Sequence, residues 1–365
     1  MMIKPDSMLH RLLDWRIPMR NSWPFRLSLV ILMAVAMTLP GLEPDDDTTP
    51  AGQKVSEKIN KVADTVLRFN IRSKTLGGKQ FWTDYLVQHE WRIQRNEVTN
   101  HYRLLSGRDY RHTWGTFLQC KKSLEEISKQ KKLPQVKGKV VLLLHGLGRT
   151  RGSMEELQKY LDKQEGFTAL TLSYASTRAS IEQHARALAS VIKNIPQATE
   201  INLVGHSLGN LVIRQYLSSS KQGDPRIKRI VMLAPPNQGS ALATLFKDNH
   251  LFHIFWGESG EQVAVNWDQL AKKLATPTCE FGIIAGGNIK LFFNNPLIKG
   301  EDDLVLRVEE TRLAGAHDFA IVPSYHGRIM NNSQTKSYTS RFLQKGYFVS
   351  ESRRQPIPPV EARQP

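Results

Sequence analysis

The chain has 365 residues, 40% hydrophobic and 23% charged, a balance that excludes a disordered chain and a polytopic membrane protein. Lys and Arg outnumber Asp and Glu by 50 to 34, a net charge of +16, which raises nucleic acid or an anionic membrane surface as a partner. Only Cys120 and Cys279 are present, so a disulfide framework and a four-cysteine zinc site are excluded; one bridge or two free thiols remain open.

Residues 1–26 carry Lys4, Arg11, Arg16, Arg20 and Arg26 against Asp6 and Asp14, and the uncharged run 27–42 (LSLVILMAVAMTLPGL) follows. Basic-then-apolar is the order of a signal peptide or signal anchor. The run falls short of the roughly 20 residues a spanning helix prefers. Ala34-Val35-Ala36 resembles a cleavage site, so cleaved signal, retained anchor and buried N-terminal helix all stay open. Residues 43–51 read as an exposed linker. The charge asymmetry predicts a membrane-anchored or exported protein whose bulk lies on the non-cytoplasmic side.

Residues 52–136 form an expected N-terminal extension. It holds an amphipathic helix over 52–66 and a hairpin with strands at 91–95 and 101–105 around a polar turn at 96–100. The spacing of Trp114, Phe117, Leu118, Leu124 and Ile127 predicts one face of a helix. From the apolar strand 140–144 onward, strands (168–172, 201–204, 230–233, 281–285, 319–322) alternate with helices (153–163, 181–195, 208–217, 329–343). Continuous apolar strands separated by helices argue a mostly parallel sheet covered on both faces. The expected catalytic domain is 137–347, with 240–278 as a candidate cap or lid carrying the apolar run 251–256, and 348–365 as a disordered tail.

Two motifs sit at strand ends. Gly205-His206-Ser207-Leu208-Gly209 is G-x-S-x-G directly after an apolar strand and before a helix. Such a turn strains the serine backbone and lifts its hydroxyl clear of the sheet. His145-Gly146-Leu147-Gly148 ends the 140–144 strand. Its glycines allow close approach, so the amides of Leu147 and Leu208 are the candidate oxyanion donors. Gly286-Gly287 and the stretch 148–152 (GRTRG) fit neither a phosphate-binding loop nor a dinucleotide fingerprint, so no nucleotide and no metal is expected.

These motifs resemble the lipase-like branch of the α/β-hydrolase superfamily, including the GPI inositol-deacylase-like enzymes, over roughly residues 137–345. The stretch 230–240 (IVMLAPPNQGS) is similar to that branch's segment after the nucleophile, with Asn237 where histidine is common. The resemblance implies an α/β-hydrolase fold and a serine hydrolase with Ser207 as nucleophile and the chain order Ser, acid, His. The acid is sought in Glu301-Asp302-Asp303, where Asp303 aligns best, Asp302 stays open and Leu304 replaces the usual glycine. His326, after the last strand, is the expected base, ahead of His317, His206 and His184. The expected substrate is a carboxylic ester, lipid-like esters included. An acyltransferase on the same residues and a non-catalytic membrane-anchored binding protein are the alternatives. No recognition motif supports nucleic acid as a partner, and the charge reads instead as topology plus a basic surface.

Overall fold

The computed structural model describes residues 73–75, 79–164, 166–219, 224–240, 259–263, 267–287 and 300–359. The expected signal segment, the linker, the helix over 52–66 and the apolar run 251–256 lie outside them. Among the described residues no helix is long and apolar enough to cross a membrane.

The extension is a five-stranded antiparallel sheet and one helix. Its strands are β1 (Ser73–Lys74), β2 (Trp82–Gln88), β3 (Trp91–Asn96), β4 (Tyr102–Leu105) and β5 (Tyr110–Gly115), in the order β1-β5-β4-β3-β2. The expected hairpin is β3–β4, and Asn96 makes its turn by accepting from the amides of Val98 and Thr99, both at 3.0 Å. β1, β2 and β5 extend it beyond the two strands expected. Helix α1 (Phe117–Lys131) starts later than its apolar spacing suggests, because Thr116 and Gln119 close a capping box. Trp114 therefore stays in β5 and Leu118 faces solvent. Cys120 and Leu124 instead pack on Leu86, Trp91, Ile93 and Leu104. Both cysteines are free.

Six parallel strands make the second sheet: β6 (Gly138–Leu144), β7 (Phe167–Leu172), β8 (Ala198–His206), β9 (Ile227–Leu233), β10 (Glu280–Gly287) and β11 (Asp318–Pro323). Their order is β11-β10-β9-β8-β6-β7. The helices are α2 (Glu155–Asp162), α3 (Ile181–Lys193), α4 (Leu208–Ser219), α5 (Trp267–Lys273) and α6 (Ser333–Lys345). Along β6, Val140, Leu142 and Leu144 join α3 and α4 residues in one core, while Val141 and Leu143 join α2 and α6 residues in the other. Burial on both faces is why the strand reads as an unbroken apolar run. Each such side chain contributes roughly 1.5–3 kcal/mol. The chain runs outward from β6 to β7, then returns to the other side of β6 as β8. That reversal puts the carboxyl ends of β6 and β8 at the switch point where open sheets bind ligands. The architecture fits the α/β-hydrolase fold.

Two boundaries differ from expectation. Residues 326–331 form a 3₁₀ turn, and α6 begins after Asn332, whose side chain accepts from the amides of Gln334 and Thr335. Part of the tail expected to be disordered is ordered: Phe348 is 1% exposed in the core, and Ile357 exchanges backbone bonds with Gly315 and Ala316. Proline-rich composition gives no sign of such pairing.

The extension meets the parallel sheet through a buried polar joint. Asp84 accepts from Arg92 (2.6 Å), Gln94 (2.8 Å) and the amide of Ser173 (2.7 Å), and its own amide donates to the Ser173 carbonyl (2.9 Å). Arg92 also donates to the Thr171 carbonyl at 2.8 Å. Asp84 is 2% and Arg92 5% exposed. Removing one partner strands a buried charge. Asp84→Ala is expected to cost roughly 3–5 kcal/mol in denaturant unfolding; a loss under about 1 kcal/mol would show the joint is dispensable.

Candidate active site

β8 ends at His206 and α4 begins at Leu208, leaving Ser207 as a one-residue turn with φ 52°. A left-handed backbone costs a non-glycine residue about 1–2 kcal/mol, so the surroundings must impose it. They do so by hydrogen bonds. The Ser207 amide donates to the Leu233 carbonyl (3.0 Å), and the Ser207 carbonyl accepts from the Asn210 amide (3.0 Å) and side chain (3.1 Å). The flanking glycines are demanded by close approach. A Cβ on Gly205 would stand 2.4 Å from Asn210 Oδ1, and one on Gly209 would stand 2.7 Å from the Leu144 carbonyl oxygen.

The structure brings Ser207, His326 and Asp303 into one hydrogen-bonded chain. Ser207 Oγ lies 3.0 Å from His326 Nε2, and His326 Nδ1 lies 2.8 Å from Asp303 Oδ2. With its Nδ1 proton donated to Asp303, the ring presents Nε2 as an acceptor for the serine hydroxyl. Asp303 is 1% exposed, and its Oδ1 accepts from the amides of Val305 (3.0 Å) and Leu306 (2.8 Å). Asp302 instead accepts from the Leu304 amide at 2.7 Å, and the Glu301 carbonyl accepts from the Val308 amide. Leu304 has φ 79°. It holds the left-handed conformation that favours glycine, the residue usual at this point in the resembled family.

The other histidines have different places. His206 Nε2 donates to the His326 carbonyl at 2.9 Å. Burial, helped by the charges of His326 and Arg149, holds its pKa well below the ordinary value, so it is neutral. His317 packs on Phe281. His184 lies buried in the core beside Tyr174.

The loop after β6 lies against the serine: a Cβ on Gly146 would stand 3.1 Å from Ser207 Cβ. Among the described residues nothing accepts from the amides of Leu147 and Leu208. The loop is pinned on its far side. The Gly148 amide donates to Ser176 Oγ (3.0 Å), Ser176 Oγ donates to Gln80 Oε1 (3.3 Å), and Gln80 Nε2 donates to the Arg149 carbonyl (2.6 Å). Gln80 and Ser176 leave no trace in the sequence, since a single long-range hydrogen bond imposes no spacing or motif. Asn237, in the histidine's place, is buried and bridges Arg214 and the Thr311 carbonyl. Among the described residues no group of three or more His, Cys, Asp or Glu could hold a metal ion.

His145, at the foot of this loop, stacks on Tyr174 with ring centroids 4.1 Å apart, and the Tyr174 hydroxyl donates to the His145 carbonyl. Its Nδ1 donates to the Gly146 carbonyl (2.9 Å), leaving Nε2 facing the Tyr174 amide.

The family described as "Domain of unknown function (DUF7379)" matches residues 108–257, a span that includes Ser207 but not Asp303 or His326. No curated protein matches the chain. Among solved structures, the mature lipase BlEst2 of Bacillus licheniformis is 18% identical, with a TM-score of 0.44 over 58% of this chain and 93% of that one. Phospholipase PlaB of Legionella pneumophila is 20% identical, with a TM-score of 0.40 over 48% of this chain and 45% of that one. The product of gene lin2722 of Listeria innocua is 16% identical, with a TM-score of 0.41 over 62% and 99%.

The buried histidines give the fold an acid limit. Burial lowers His145 to about 4 and His184 to about 3. The unfolded chain, with histidines near about 6.5, binds protons first as pH falls, so this stability is full above that value and is lost below it. His184→Phe is expected to remove roughly 2–3 kcal/mol of the stability lost between about pH 7.5 and about pH 4.5. Denaturant titrations at both pH values check this, and an unchanged slope would mean His184 does not titrate with folding.

Proposed function

We propose that the protein is a serine hydrolase of carboxylic esters, lipid-like esters among them. The observation that carries this is the Ser207–His326–Asp303 chain, with spacings of 3.0 and 2.8 Å, beside two amides with no acceptor among the described residues. In this reading the Ser207 oxygen attacks the ester carbonyl while His326 Nε2 takes the hydroxyl proton. Asp303 holds the imidazole with Nδ1 protonated and stabilises the charge that forms on it. The amides of Leu147 and Leu208 receive the developing oxyanion, and Leu208 adds the positive end of α4. Collapse expels the alcohol, which takes the proton from His326. Water, deprotonated by the same nitrogen, then releases the acid and restores Ser207.

Each fixed element around Ser207 serves a step of this scheme. The left-handed turn exposes the hydroxyl. His206 holds the His326 carbonyl, and the two amides at Asp303 keep its carboxylate aimed. Gln80 and Ser176 hold the loop that carries the Leu147 amide.

A fluorophosphonate probe is expected to label the protein, and Ser207→Ala to abolish labelling; labelling that survives would exclude Ser207. Asp303→Asn is expected to lower kcat on a short ester by roughly 10²–10⁴-fold. Gln80→Ala is expected to lower kcat about tenfold with little change in KM. A wild-type kcat in that variant would mean the loop holds itself.

A further inference from the structure

Hydrolysis as described leaves one charged side chain at the site without a task. Arg149 follows the candidate oxyanion loop by two residues, and its guanidinium lies across from the segment bearing His326: a Cβ on Gly327 would stand 3.1 Å from Nη1. Nothing among the described residues pairs with this guanidinium. Among the described residues its buried Nε has no hydrogen-bond partner, a penalty for a charged donor. Its neighbour in sequence shows the contrast, since Arg151 pairs with Asp109 at 3.2 Å.

No carboxylate nearby is spare. Asp303 commits one oxygen to His326 and the other to the amides of Val305 and Leu306. His206 is held neutral by burial and adds no second positive charge. The Arg149 backbone is fixed at both ends, its amide donating to the Gly146 carbonyl (3.2 Å) and its carbonyl accepting from Gln80 (2.6 Å). The backbone is thus held, and the guanidinium lies against the segment that bears His326.

We propose that Arg149 is a specificity-determining residue that selects esters carrying an anionic group, phosphate or carboxylate, close to the scissile bond. A guanidinium stays charged at any working pH, and its planar fork matches both oxyanions. Its cost in the free protein is relieved when such a group arrives, so the preference is built into the loop that also holds the oxyanion. This rests on the serine-hydrolase reading.

The test compares matched pairs: lysophosphatidic acid against monoacylglycerol of the same chain, and p-nitrophenyl hemisuccinate against p-nitrophenyl butyrate. The first pair places phosphate on the alcohol side and the second places carboxylate on the acyl side. In Arg149→Gln and Arg149→Ala, the ratio of kcat/KM for the anionic over the neutral member is expected to fall about 10- to 100-fold in at least one pair. Ratios unchanged in both pairs would overturn the proposal. Fluorophosphonate labelling of the same samples reports separately on Ser207: wild-type protein that fails to label sinks the hydrolase reading and the ester selectivity that rests on it, whereas labelled protein with unchanged ratios sinks this proposal alone. In either case thermal stabilisation by glycerol 3-phosphate, measured against glycerol, decides anion binding. Stabilisation of wild type lost in Arg149→Gln supports the site, and equal or absent stabilisation in both overturns it.

Discussion

The start of α4 approaches the ends of β6 and β8 so closely that only glycine fits at the two contacts, and the candidate site is built on that approach. Gly209 sits under the Leu144 carbonyl and Gly205 under Asn210. Because α4 can come that near, Ser207 is forced into its left-handed turn and the Leu208 amide emerges at the same level as the loop from β6. A side chain at either glycine would move the helix start outward and separate the hydroxyl from the loop. Asn210 completes the arrangement by bonding both the Ser207 and Leu233 carbonyls, which ties the turn to the next strand as well. The strain in one residue is therefore spread over three strands and a helix, and no single contact has to bear it.

What could be read in the sequence follows from this construction. Strands buried on both faces leave unbroken apolar runs, and turns that allow only glycine leave glycines, so β6, β8 and Ser207 are legible as letters. Glu301, Asp302 and Asp303 are harder. Adjacent carboxylates on an irregular loop differ only in backbone twist, and the positive φ of Leu304 hides behind a residue that seldom adopts it. The structure separates them by what each oxygen accepts. Gln80 was beyond reach for another reason: its partners are 69 and 96 residues away, and such bonds impose no periodicity. Trp114 and Leu118 misled because apolar spacing is blind to the capping box at Thr116, which sets where α1 starts. The tail misled because composition registers proline but not the backbone bonds of Ile357.

The extension also changes how the charge is read. Within the described residues many cations are engaged: Arg92 with Asp84, Arg226 with Asp224, Arg229 with Glu280. Arg103 lies 3.7 Å from the ring centre of Trp82. A large formal excess of positive charge thus coexists with local neutralisation, and a cation left unpaired at a chemical site stands out more for it.

The antiparallel sheet of the extension has a bearing on assembly order. Strands β2 to β5 are joined in sequence by short turns, so their contacts are local and entropically cheap to form, whereas β6 must wait for β8, across some sixty intervening residues, before it has both neighbours. A chain growing from its N-terminus completes the meander first. Asp84, Arg92 and Gln80 are then in place as β7 and the loop after β6 arrive, and the late, long-range sheet closes onto a surface that already carries its polar partners. The extension in this sense is a template, and the loop beside Ser207 inherits its shape from a part of the molecule made before it.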